Sequence, residues 1–269
     1  MADSLFWRPI PILTLTVRQF LGGRALWVVT ALSLIPCLFT AIYLIDTSGT
    51  TPRDFLIEVI FLGLVSPTLL PISVLILATA ALGNEVEDRT LPYLVIKPIT
   101  RLRIAVEKLV GILVVALPAV VLGLVITYLM VEVGADEPTI RLGRRAAEPE
   151  ALWPVLEAML GAAAVGVVAT AALFLFVSLV IPRALLVGII YAFAWESLLG
   201  RFLPGIKVVS IRHYTDSTFY ALLDNPEATI DPDLLEAAAS LSSALTTVAV
   251  LVVVSVALTT WRLRTMNLE

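Results

Sequence analysis

Long uninterrupted apolar runs constrain this chain more than any other feature. A helix needs about 20 residues to cross a bilayer, whereas a strand needs about 10, so runs of this length predict helices. The composition agrees, because 59% of the 269 residues are hydrophobic and only 15% are charged. The sequence therefore predicts an all-α integral membrane protein with six transmembrane helices, at roughly 26–45, 55–82, 104–131, 152–180, 184–203 and 240–261.

The distribution of lysine and arginine predicts the orientation of these helices. Of the 18 basic residues, 11 lie in the two termini and around the connections after the second and fourth runs, and 7 lie in the other connections. An excess of basic residues marks the cytoplasmic side of a membrane protein. Acidic residues have the opposite bias, with 6 on the first side and 16 on the second. Both termini are therefore predicted to be cytoplasmic.

Residues 1–25 are predicted to form an amphipathic lead-in helix on the cytoplasmic side. Leu13, Val17, Phe20 and Leu21 recur at helical spacing opposite polar side chains. A helix of this kind can lie in the membrane interface. The alternative is a helix that only leads into the first span.

Residues 204–239 are predicted to form an extracytoplasmic helical segment between the fifth and sixth spans. Asp231 followed by Pro232 is typical of a helix start, with the aspartate as N-cap and the proline in the first turn. Two alternatives stay open, one continuous helix from there through 261 or a short separate helix over 234–239. Periodicity does not distinguish them.

A polar island at residues 83–101 interrupts the apolar sequence between the second and third spans. Thr90 is a candidate N-cap for a short helix over 91–97, and Pro98 would end that helix. The predicted result is a short amphipathic cytoplasmic helix that is held at both ends by long spans. A soluble partner could move such an element and so move the spans.

The island resembles the signature of type-2 ABC transporter permeases. In that family an acidic pair, a Thr-Leu, a Pro-x-x-Arg and a lysine entering the third span recur at this place. The matching residues here are Glu85-Val86-Glu87-Asp88-Arg89-Thr90-Leu91, Tyr93-Leu94, Lys97-Pro98-Ile99-Thr100-Arg101 and Lys108. The six-span layout, the lead-in helix and Ala194-Trp195-Glu196 are also similar to the family.

The resemblance implies a function and a set of partners. It implies that residues 1–269 form one permease domain, which lines the translocation path and pairs with a separate ABC ATPase subunit in two copies. A second permease half is expected, as a homodimer, with ATP and Mg²⁺ bound by the ATPase. The chain itself has no Gly-x-x-x-x-Gly-Lys-Ser/Thr phosphate loop. No cofactor, metal or nucleic acid is expected on it, and a prokaryotic inner or plasma membrane is its expected location.

Candidate site residues come from the resemblance and from the spans. By resemblance, residues 84–101 are the segment that couples to the ATPase, with candidate contacts at Glu85, Glu87, Arg89, Thr90, Leu91, Tyr93, Leu94, Lys97, Pro98 and Arg101. Interfacial or structural roles are expected for Arg18, Lys108 and Glu196. Prolines inside spans bend helices, which predicts kinks at Pro67, Pro71 and Pro118.

Three classes of function are weighed against one another. The first is an ATP-driven exporter, whose apolar spans predict a hydrophobic or amphipathic substrate. The second is an ion-gradient-driven secondary transporter, but its expected ionisable residue near the bilayer centre is missing, because Glu58, Glu107 and Glu196 all lie near span ends. The third is an intramembrane enzyme. The one histidine, His213, lies outside the spans without a metal or nucleophile motif, so no catalytic residue is predicted.

Overall fold

The computed structural model describes residues 11–45, 50–83, 99–135, 151–181, 190 and 210–265. Every regular element in these ranges is helical, which confirms the all-α class for this part of the chain. We number the helices α1 (Pro11–Gly22), α2 (Arg24–Ile45), α3 (Pro52–Gly83), α4 (Arg101–Ala135), α5 (Trp153–Val180), α6 (Ile211–Leu222), α7 (Pro232–Glu236) and α8 (Leu241–Thr265).

Five of these helices, α2, α3, α4, α5 and α8, are long and apolar enough to cross a membrane. They correspond to the first four predicted spans and the sixth, with ends that differ from the prediction by about four residues or fewer. The predicted fifth span, 184–203, lies outside the described residues except for residue 190. The chain is therefore a multi-pass membrane protein with at least five candidate spans.

The second span, α3, changes its hydrogen-bonding pattern along its length. Phe55–Leu69 is a π-helix, Leu70–Ala78 is α-helical, and Thr79–Gly83 is again a π-helix. Pro67 lies within the first π-helical stretch, and Pro71 lies in the first turn of the α-helical one. Because proline lacks the N–H that continues a helical ladder, the change of pattern at these two residues has a local cause.

Two other prolines lie inside spans that remain helical around them. Pro118 is in α4, and Pro36, which the sequence reasoning did not single out, is in α2. The bends predicted at Pro67, Pro71 and Pro118 stay predictions.

The lead-in helix α1 is separate from α2, and the break falls at Gly23. Its buried face consists of Ile12, Thr16 and Phe20, whereas Leu21 is 59% exposed. Of the predicted apolar face, Phe20 thus packs inside the described bundle and Leu21 lies on its surface. The interfacial location of α1 stays a prediction. Thr16 can be buried because its hydroxyl donates to the carbonyl oxygen of Ile12, one turn earlier, at 2.8 Å.

The connection before the last span contains two helices of its own. Asp231 is the N-cap of α7, and its carboxylate accepts a hydrogen bond from the N–H of Asp233, which confirms the predicted helix start. Since α7 ends before α8 begins, the alternative of one helix through 261 is wrong. A separate short helix is present, at Pro232–Glu236 instead of the expected 234–239.

Helix α6 lies alongside α5 rather than beyond its end. Near the C-terminus of α6, Leu222 packs at Gly161, and at its N-terminus Ile211 clusters with Ala169. Residue numbers thus rise along α6 as they fall along α5, so the two helices are antiparallel. Ala169 is just past the middle of α5, which places the start of α6 at the level of the middle of the bundle.

Helices α2 and α4 approach each other closely at Gly123. A Cβ atom built on Gly123 of α4 would overlap the main-chain carbonyl oxygen of Ser33 in α2. One turn further along α4, the hydroxyl oxygen of Thr127 lies 3.5 Å from Sγ of Cys37. Small residues permit this approach of two backbones, as is common between membrane helices.

We expect Gly123→Ala to destabilise the protein by about 2 kcal/mol or more, because a backbone atom must move to admit the methyl group. The check is the midpoint of thermal unfolding of the detergent-solubilised protein, followed by size-exclusion chromatography. Gly22→Ala is the matched control, since a Cβ there meets nothing within 4 Å. Equal midpoints for the two variants would contradict the close contact.

Candidate functional site

The predicted coupling segment lies almost wholly outside the described residues. Of its ten named contact residues only Arg101 is described, in the first turn of α4, and the other nine fall within 84–98. Glu196 is also outside the described ranges. What the structure describes is the pair of helix ends that the segment joins, the end of α3 and the start of α4.

A buried lysine connects these two helix ends. Lys108, two turns into α4, is fully buried, and its Nζ donates a hydrogen bond of 2.7 Å to the carbonyl oxygen of Ala81. Ala81 lies two residues before Gly83, the last residue of α3 that the structure describes. A buried ammonium group is costly unless it is hydrogen-bonded, so this bond constrains both helices.

The preceding residue, Glu107, binds the first turn of α1. Its Oε2 accepts hydrogen bonds from the main-chain N–H groups of Ile12, at 3.0 Å, and Leu13, at 3.2 Å. Its Oε1 accepts a hydrogen bond from Nε of Arg103, one turn earlier in α4. A carboxylate at a helix N-terminus satisfies N–H groups that have no helical acceptor. Glu107 is buried, which shields these bonds from water.

Helix α1 also contacts α3 and α4 along its length. Thr16 packs at Gly111 of α4, where a Cβ would lie 3.0 Å from Cγ2 of the threonine. Nε2 of Gln19 donates a hydrogen bond of 3.3 Å to the carbonyl oxygen of Ala80 in α3. Arg18, a predicted interfacial residue, is exposed. The three helices α1, α3 and α4 therefore meet in one junction.

The chemistry of this junction is structural rather than catalytic. The charged atoms of Glu107 and Lys108 bind the main chain of two different helices. Within the described ranges, no three of the His, Cys, Asp and Glu side chains are grouped so that they could hold a metal ion. We call the group formed by Glu107, Lys108 and their bonds to α1 and α3 the α1–α3–α4 junction.

A second polar group lies in the other half of the bundle, between α3 and α6. In a π-helix a carbonyl accepts from the N–H five residues later, and for Leu62 that residue is Pro67, which has none. Nη2 of Arg212 donates a hydrogen bond of 3.1 Å to the Leu62 carbonyl oxygen instead. The carboxylate of Asp216 accepts from Nε of Arg212 at 3.2 Å and from the hydroxyl of Ser66.

The C-terminal end of α6 is held to α3 by another arginine. Arg53, buried in the first turn of α3, donates from Nη2 to the carbonyl oxygens of Asp224 and Asn225. Asn225 has a φ of 54°, in the left-handed region that asparagine tolerates better than most residues. Between the two arginines, the rings of Phe61 and Phe219 stack with centroids 4.5 Å apart. The sequence did not predict the contacts of Arg53, or those of Arg212 with Asp216 and the Leu62 carbonyl.

A sequence model described as ABC-2 family transporter protein matches residues 24–196, more than half of the chain. The chain belongs to this family. The resemblance to type-2 ABC transporter permeases is thereby confirmed, and the protein is the membrane component of a transporter. No curated protein and no solved structure matches the chain.

The family match includes one of the two polar groups of the permease and not the other. It includes α2 to α5, with Glu107 and Lys108, and the segment between α3 and α4. It ends before α6, so Arg212 and Asp216 lie in a part of the permease to which the family match does not extend. Family membership implies association with an ABC ATPase subunit.

We expect Arg212→Met to destabilise the permease by about 3 kcal/mol, because it leaves a largely buried carboxylate without its partner and the Leu62 carbonyl without its side-chain donor. The double variant Arg212→Met with Asp216→Asn should cost less than the single one, since no unpaired charge remains. Thermal unfolding in detergent measures both, with Arg264→Met in the exposed last turn of α8 as control. Additive losses would argue against the ion pair.

Proposed function

We propose that the chain is the permease subunit of an ATP-driven exporter of hydrophobic or amphipathic substrates. In this proposal two permease chains form a homodimer in the inner or plasma membrane of a prokaryotic cell, each with six spans and cytoplasmic termini. Two ABC ATPase subunits bind ATP and Mg²⁺ and contact residues 84–101. The membership in the ABC-2 family supports the general scheme, and the α1–α3–α4 junction supports the coupling.

The buried bond from Lys108 to Ala81 is the observation that carries the coupling proposal. It joins α3 and α4 at the ends from which residues 84–98 connect them. A force on residues 84–98 would therefore move α3 and α4 together, because the bond from Lys108 holds the two spans to each other. Since Glu107 binds α1 next to this bond, the lead-in helix is linked to the same pair of spans. Rigid-body movement of packed helices is a common form of switching.

The positions of arginines support the proposed orientation. Arg101 and Arg103 lie in the first turn of α4, and Arg262 and Arg264 lie in the last turn of α8. Basic residues at the ends of spans favour the cytoplasmic side. With alternating spans and a sixth span within 182–209, both pairs are on the same side as α1.

The secondary-transporter alternative is less well supported. Arg212 and Asp216 of α6, near the middle of the bundle, form an ion pair with each other. The fully or nearly buried ionisable side chains of the described spans are Arg53, in the first turn of α3, and Glu107 and Lys108, about two turns into α4. Each forms hydrogen bonds to main-chain groups of another element. A proton- or ion-coupled transporter uses ionisable groups along its transport path, typically within the span.

The ATPase contact is tested by producing the tagged permease together with a candidate ABC ATPase from the same genome and purifying the two. We expect Glu85→Ala, Glu87→Ala and Leu94→Asp, combined in one variant, to reduce co-purification of the ATPase at least about tenfold, because they remove charges and an apolar contact from the coupling segment. Arg264→Gln is the control on the same proposed side. Undiminished association and transport in the triple variant would refute the assigned coupling residues.

The role of the junction is tested with Lys108→Met, which keeps the length of the side chain but removes its hydrogen bond to Ala81. We expect the ATPase still to co-purify, but the conformational response to ATP to be lost. That response is read as ATP-dependent maleimide labelling of Glu227→Cys, an exposed position on the other side of the bundle, in a Cys37→Ser background. An unchanged response to ATP in the Lys108 variant would contradict a coupling role for this bond.

A further inference from the structure

A cavity of about 520 Å³ opens between α3, α6 and the chain around α7. It lies in the half of the bundle opposite the α1–α3–α4 junction. Its volume is within the range of small-molecule sites in proteins. Its apolar lining includes Leu62 from α3, Ile230 before α7 and Leu234 within α7. The cavity can therefore accommodate the apolar body of a small amphipathic molecule.

The cavity is fixed in shape by contacts that do not depend on a ligand. One wall, α6, is held to α3 through the bond from Arg212 to the Leu62 carbonyl oxygen. The chain after α7 is held to α6, because the hydroxyl oxygen of the buried Ser217 accepts a hydrogen bond of 3.0 Å from the N–H of Ala239. A preformed cavity binds with less loss of conformational entropy than one that must be ordered by its ligand.

The charged side chains that line the cavity favour a cation. They are three carboxylates, of Glu58, Asp216 and Asp231, and one guanidinium group, of Arg212, which leaves a formal charge of −2. Arg212 is already bonded to Asp216 and to a carbonyl oxygen. Glu58 and Asp231 are exposed, and neither forms an ion pair with another residue of the described chain. Within the described chain no basic side chain neutralises these two carboxylates, although one oxygen of Asp231 also caps α7.

An aromatic ring completes the lining. Tyr220 of α6 is half-buried at the cavity. Burial raises the pKa of its phenol and the charge of Asp216 raises it further, against the opposing effect of Arg212. The hydroxyl group therefore stays protonated at neutral pH, and Tyr220 adds an uncharged aromatic ring to the lining, a group to which cations can bind.

We infer that this cavity binds an amphipathic organic cation. The cationic group would lie near Glu58 and Asp231, and the apolar part would contact Leu62, Ile230 and Leu234. As a statement about the exported substrate this inference rests on the proposed function, and it narrows the class from hydrophobic or amphipathic molecules to those with a positive charge. An anion of the same size would be repelled by the net negative lining.

The test uses two probes that have nearly the same shape and opposite charge, tetraphenylphosphonium and tetraphenylborate. Binding to the purified full-length permease in a neutral detergent is measured by equilibrium dialysis, with empty micelles subtracted. The expected result is saturable binding of tetraphenylphosphonium and at least about tenfold weaker binding of tetraphenylborate. Equal binding of both ions would overturn the inference, because it would mean partition into apolar surface alone.

Variants locate the site. Glu58→Gln and Asp231→Asn remove charge with little change of shape, and asparagine caps a helix as well as aspartate. Together they should weaken tetraphenylphosphonium binding about tenfold. The matched control is Glu227→Gln with Glu236→Gln, two exposed carboxylates near α7 that are absent from the lining residues described. Unchanged binding in the first variant, or an equal loss in the control, would overturn the inference.

Failure of this inference and failure of the proposed function give different results. Binding is measured without the ATPase, so it does not depend on ATP coupling. If tetraphenylphosphonium binds as expected but the ATPase fails to associate, the cavity stands as a cation site and the exporter proposal falls. If the ATPase associates and the two ions bind alike, the exporter proposal stands and the cation site is refuted.

Discussion

The described bundle depends on charged side chains that hydrogen-bond to main-chain groups of neighbouring elements. Among the described residues, the buried charged side chains are Arg53, Glu107 and Lys108, and each binds carbonyl or N–H groups of another element. In apolar surroundings an unsatisfied main-chain group costs several kcal/mol, because water cannot replace the missing partner. Burying one of these charged groups, or one of these main-chain groups, without a partner would be unfavourable. The hydrogen bond between them removes both costs.

Helix α3 takes part in most of these bonds, since it has the least regular hydrogen-bonding ladder. Its last turn offers the carbonyl oxygen of Ala81 to Lys108, and its proline-interrupted π-helical part offers that of Leu62 to Arg212. It is thus the element common to the α1–α3–α4 junction and the cavity. The irregular helix is consistent with this position, because helix types other than α recur at functional sites. Because α3 is bonded at Ala81 to the junction and at Leu62 to the wall of the cavity, a movement of α3 proposed at the junction would also move that wall.

The sequence alone predicts those features that are determined by residues close together along the chain. The apolar runs indicated the spans α2 to α5 and α8, and the Asp231-Pro232 pair indicated the start of α7. The bonds that join different elements in these polar groups connect residues 27 to 172 positions apart, and no local pattern encodes such pairings. Helix α6 was not recognised as part of the bundle because its polar face lowers its hydropathy. The polar face includes Arg212, which donates to the Leu62 carbonyl oxygen the hydrogen bond that α3 itself does not provide.

The negative lining of the cavity follows from the same backbone requirement. Pro67 leaves the Leu62 carbonyl without a π-helical donor, and a neutral donor or an arginine could replace it. An unpaired arginine would have made the cavity attractive to anions. Here Asp216 neutralises Arg212, so the repair of the backbone adds no net charge, and Glu58 and Asp231 set the sign. The charge preference of the cavity, set by Glu58 and Asp231, is therefore independent of the bond from Arg212 that holds its wall. Substitution of these two carboxylates can change the preference and leave that bond in place.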